Sequence, residues 1–213
     1  MRLRTSILAG IVVAATVLLP AAAANAATVS SSPAPTPAPV TTTVYQTMVV
    51  RGYNAQVAAA DGYKIVTNAD GTQASVPVTA AAIAQQKQAD QRIAAAQAVT
   101  PGAAASAAGV ICGDSWVSGA KIANNTVAFH TGFLVYGAVR FHNWAVYAVG
   151  VVTANAWGTS GNGPVSGTES WTGAIPSVVG PGVGGVPTLS PAASVLLANG
   201  SYCFSYGPTF TFG

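Results

Sequence analysis

The segment TVAFHTGFLVYGAVRFHNWAVYAVGVVTA, residues 126–154, decides the fold. Over Thr126–Tyr136 the side chains alternate. Val127, Phe129, Thr131, Phe133 and Val135 fall on one face, and Ala128, His130, Gly132, Leu134 and Tyr136 on the other. That is the period of a strand with one buried face. Gly137-Ala138 turns the chain, Val139 and Phe141 then oppose Arg140 and His142, and Trp144–Ala154 continues as a β-branched and aromatic run. Both histidines are thereby expected to face solvent.

Working outward, Ser115–Ile122 reads as a preceding strand, with Asn124-Asn125-Thr126 as a polar turn that also matches a glycosylation acceptor. Val165–Thr172 reads as a short strand. Ser201–Phe212 reads as a strand or strand pair interrupted near Gly207-Pro208, because proline has no N–H for an internal ladder. The Gly- and Pro-rich stretch from Gly158 to Pro191 is expected to be mostly loop, and Ala192–Ala198 a short helix ending at Asn199-Gly200. The expected fold is mainly β: a small antiparallel β-sandwich or barrel with one disulfide, preceded by a helix-containing N-terminal arm.

Composition divides the rest of the 213-residue chain. Residues 1–26 have the pattern of a signal peptide: Arg2 and Arg4, an apolar run from Ile7 to Leu19, and an Ala24-Asn25-Ala26 processing site. An uncleaved anchor is the rival, disfavoured by the missing positive stop-transfer cluster. Residues 27–43 form a Pro/Thr/Ser-rich spacer too poor in apolar side chains to form a core. Residues 44–100 are expected to form a β-hairpin turning at Asp70-Gly71 and an Ala/Gln-rich helix from Ala80 capped by Thr79, a unit that could serve as a pro-segment. An Ala/Gly linker at 101–108 precedes the principal domain, 109–213, which holds fourteen of the seventeen aromatic residues.

Cys112 and Cys203 are the only cysteines, and an exported chain meets oxidising conditions in which they pair. Closing so long a loop is worth roughly 4–5 kcal/mol in the chain-entropy model.

From Ala27 onward, six basic and five acidic residues leave a formal net charge of +1. No basic stripe tracks a nucleic-acid backbone, and no second apolar span supplies a stable transmembrane anchor once the leader is removed.

Catalytic and cofactor motifs fail at their diagnostic positions. Gly113-Asp114-Ser115 looks like part of the nucleophile motif of trypsin-like proteases, but Trp116-Val117 replace two glycines and both histidines come later in the chain. It resembles the start of the GDSL lipases as weakly, since no acidic residue follows Glu169 and the last histidine is His142. Two histidines supply too few ligands for a zinc site, and the Gly180–Gly185 loop lacks the lysine-serine ending of a phosphate cradle. No cofactor, metal or catalytic residue is expected.

The aromatic excess is what remains. Trp157 and Trp171 flank the Gly-rich loop, with Tyr206 a weaker third, and exposed rings beside small polar residues suit stacking on sugar faces or anchoring a partner. The sequence therefore points to a secreted, extracellular, non-enzymatic β protein that binds cell-wall polysaccharide or an envelope protein through these rings. A bacteriocin-like membrane-active protein and an envelope enzyme with an unrecognised site are the alternatives.

Overall fold

The computed structural model describes residues 41–99 and 110–213, with backbone alone for 97–99. The signal peptide, the linker and nearly all of the spacer lie outside the described residues. In chain order the elements are β1 (Val44–Tyr53), α1 (Ala55–Ala60), β2 (Tyr63–Thr67), β3 (Gln73–Pro77), α2 (Ala80–Val99), β4 (Ile111–Ile122), β5 (Thr126–Val135), β6 (Val139–Gly150), β7 (Ala154–Gly161), β8 (Thr168–Ile175), β9 (Gly182–Gly185), β10 (Ala193–Leu197), β11 (Ser201–Ser205) and β12 (Thr209–Phe212).

The β4–β5 hairpin turns on Asn124 and Asn125, both with positive φ (60° and 54°). Two successive left-handed residues make the tight turn whose twist matches its strands. Ten strands form one antiparallel sheet in the order β12-β9-β6-β10-β11-β1-β4-β5-β8, with β7 on the other edge of β6; β2 and β3 pair separately. The large sheet rolls on itself so that Phe133 of β5, Trp144 and Val146 of β6, Val195 of β10 and Cys203 of β11 share one core. The roll stays open, because β7 pairs only with β6 and β8 only with β5.

The disulfide forms as expected, joining Cys112 and Cys203 with Cα atoms 6.1 Å apart. The β2–β3 hairpin and the Thr79 cap of α2 are likewise present, the Thr79 hydroxyl accepting from the Ala82 amide at 3.2 Å.

Four expectations are corrected. First, the strand beginning at Val44 does not belong to a separate arm: β1 lies between β4 and β11 and pairs with both. Its partners are far away in sequence, so local patterning shows a strand without showing its neighbours. Second, Ala193–Leu197 is strand β10 instead of a helix, because pairing with β6 and β11 overrides a run too short to nucleate a helix. Third, the loop region contains the end of β7 and the short β9. A side chain at Gly184 would collide with the Phe210 ring of the neighbouring β12, so glycine is what lets these strands meet. Fourth, His142 faces inward. The β6–β10 register shifts between Leu196 and Leu197, leaving Arg140 as an extra residue on β6. Beyond that bulge the alternation reverses: Phe141 is exposed, whereas His142, Trp144, Val146 and Ala148 are buried. His130 is exposed, as expected.

Candidate functional site: the slot between β7 and β8

Inward-facing residues of β5 and β6 are fully covered, but those of the two unpaired edges are not. Trp157 of β7 and Glu169 and Trp171 of β8 are half-buried although they point into the same interior. At one end Asn155 Nδ2 donates to the Pro176 carbonyl (3.2 Å) and Thr153 Oγ1 to that of Ser177 (2.7 Å), and at the other residues 162–167 join the two strands directly. The slot between the edges is thus a gap in strand pairing, occupied by aromatic rings.

Trp157 and Trp171, fourteen positions apart in sequence, pack against each other within it, with ring centroids 6.2 Å apart and planes tilted by 52°. Trp157 rests on Phe129 (5.1 Å), and Trp171 on Phe133 (5.8 Å), Trp144 (6.2 Å) and His142 (5.2 Å). Both indoles are therefore held rigidly from behind while their outer parts remain accessible. Gly173 clears space for the Phe129 ring, which a side chain there would strike.

Sequence reasoning missed the polar end of the slot. His142 Nδ1 lies 3.1 Å from the Gly163 carbonyl oxygen and 3.2 Å from Glu169 Oε2. Both neighbours are acceptors, so they favour the tautomer with its proton on Nδ1. Glu169 Oε2 is buried and makes no well-formed hydrogen bond, while the side chain as a whole is 31% exposed, leaving Oε1 to face solvent. The pairing depends on the bulge at Arg140, and no feature of one-dimensional spacing signals that His142 and Glu169 meet.

Tyr206 does not join this group. It follows β11, where its amide donates to the Thr47 carbonyl of β1, and β4 and β5 separate that side of the sheet from β8. Its hydroxyl is buried without a hydrogen-bond partner among the described residues.

Ser115, the residue of the hydrolase-like motif, is fully buried, with its hydroxyl on Ser205 Oγ (2.8 Å) and the Gln46 carbonyl (3.1 Å). Burial also pushes the neighbouring Asp114 carboxyl above its ordinary range. The Tyr136 hydroxyl is raised by burial and by the charge of Asp114.

Among the described residues, no three His, Cys, Asp or Glu side chains converge as a metal-binding group, and no helix is long and apolar enough to cross a membrane. Comparison with known protein families, curated proteins and solved structures finds no match, so the chemistry of the slot is read from its own residues.

Proposed function

We propose that the protein is an exported, non-enzymatic binding protein whose β7–β8 slot takes a neutral glycan of the cell envelope. One arrangement carries the reading: two tryptophans meet across unpaired strand edges beside a carboxylate with one oxygen toward solvent. Rigid indoles offer flat apolar area at little entropic cost, which suits the face of a sugar ring. Thr159 and Glu169 supply a donor and acceptors at the rim for sugar hydroxyls. Export itself rests on the leader and on the disulfide between the chain's two cysteines.

The test is retention on insoluble cell-wall polysaccharide for wild type, Trp157→Ala, Trp171→Ala and Glu169→Gln, each checked for stability by urea unfolding. Loss of one stacking ring is expected to weaken retention about tenfold in variants that remain folded. Wild-type retention by all three variants would reject the slot as the binding site.

The His142–Glu169 contact favours a second reading. A histidine oriented through Nδ1 by a carboxylate is the base-and-orienter pair of a general-base catalyst, which would make the slot an envelope hydrolase site. Release of reducing ends from the same polysaccharide, abolished in His142→Gln, would establish that reading in place of simple binding.

A further inference from the structure

We infer that the protein has a second ligand site, a cleft beneath α2 that takes an uncharged, largely aliphatic small molecule with a hydrogen-bonding head. α2 approaches the rest of the molecule along one stripe, Ala82, Gln86, Ala89, Ile93 and Ala96, while its remaining side chains with described burial are exposed. Three of these five side chains are single methyl groups, so the helix cannot fill the space under it. A cleft of about 460 Å³ remains between α2, β3 and the ends of β1 and β4. That volume falls in the range of small-molecule sites, about 300–1,000 Å³.

The cleft's chemistry defines its occupant. Val50, Ile93, Ile111, Leu197 and Tyr136 form an apolar wall, and no Lys, Arg, Asp or Glu is among the described side chains that line it. Gln73, Gln86 and Asn199, with Asn68, Thr72, Ser75 and Ser201, are among the neutral hydrogen-bonding groups that line it. The Gln86 amide nitrogen already donates to Asp90 (2.8 Å), which leaves its carbonyl as a free acceptor for a hydroxyl or amide head. A charged head would be stripped of water without an ion partner, so neutrality is part of the specificity. Arg51 lines only the adjoining depression. The wall includes the disulfide residue Cys112 and core strands, so one side of the site is rigid while the helical side is lightly held.

The test uses the full exported chain with Nile red and 1-decanol as probes and decanoate as the charged control. Decanol is expected to raise the thermal midpoint by several degrees, to displace Nile red, and to bind at least tenfold more tightly than decanoate. Ala89→Phe and, independently, Ala74→Leu fill the cleft from α2 and from β3. Each is expected to reduce binding of both probes at least tenfold while the unfolding transition stays cooperative. Trp157→Ala is expected to leave decanol affinity unchanged, separating this site from the slot. Absence of decanol and Nile red binding to wild type would overturn the site, as would wild-type affinity in both filled variants. Decanoate binding as tight as decanol binding would overturn the neutral class of ligand.

Discussion

Trp144 is fully buried, and its indole N–H donates to Thr131 Oγ1 (3.0 Å), which in turn donates to the Trp116 carbonyl (2.8 Å). Thr131→Val keeps the volume and removes both bonds. It is expected to cost about 1–3 kcal/mol, because the buried indole N–H is left unpaired; urea unfolding measures it, and an unchanged midpoint would mean the bond contributes nothing. Asp114 gives a pH signature. Its folded-state carboxyl lies above the ordinary value because burial disfavours the charge. The protein is therefore relatively more stable with Asp114 protonated, and that advantage is lost as pH rises from the ordinary carboxylate value of about 3.9 through the raised one. Asp114→Asn is expected to remove this decline, so thermal midpoints of wild type and variant should diverge over that interval in favour of the variant. Parallel curves would contradict it. The sequence named Trp157 and Trp171 because they flank a Gly-rich region, and the structure brings them together for a different reason, the unpaired edges of β7 and β8. Glu169 and His142 were illegible because a single bulged residue reverses which side of β6 faces inward.

At the scale of elements, legibility followed locality. The β2–β3 hairpin and the α2 cap are set by residues within a few positions of one another, and both could be read. β9 is a strand because the distant β6 and β12 pair with it, and β10 because the distant β6 joins the adjoining β11 in flanking it, so their own Gly-rich or Ala/Leu-rich sequences misled. Of the two isoleucines in α2, Ile93 faces the domain and Ile83 is 55% exposed. A helix held by so narrow a stripe opens more readily than the sheet it covers. Hydrogen exchange is expected to show α2 amides exchanging at least tenfold faster than those of β5 and β6; equal protection would place the helix in the same cooperative unit. The bulge at Arg140 has a second effect. The extra residue, Arg140, forms a paired contact with Asp61, after α1, with Nε donating to Oδ2 at 2.6 Å. Asp61 is only 8% exposed in its side chain while Arg140 is 56% exposed. Arg140→Ala therefore leaves a nearly buried carboxylate without its partner, and a loss of about 1–3 kcal/mol is expected in urea unfolding.

For the whole molecule, the placement of β1 matters most. Composition suggested a boundary near residue 109, yet β1 runs between two strands from beyond that boundary. Cleavage within residues 100–109 is therefore expected to leave both fragments associated, co-eluting in gel filtration and separating only on a denaturing gel. Early release of the N-terminal fragment would refute this. Cys112 and Cys203 sit on the two strands that flank β1, 91 positions apart. Replacing both with alanine is expected to cost about 3–5 kcal/mol, read from urea unfolding against the oxidised wild type. Tension applied to the N-terminal side would enter the fold at Val44, the first residue of this flanked strand. Pulling along β1 loads two hydrogen-bonded ladders in shear together, where an edge strand would peel bond by bond, and the disulfide limits how far the neighbours can spread. Force entering at Val44 thus meets two ladders at once before the strand can be drawn out of the sheet.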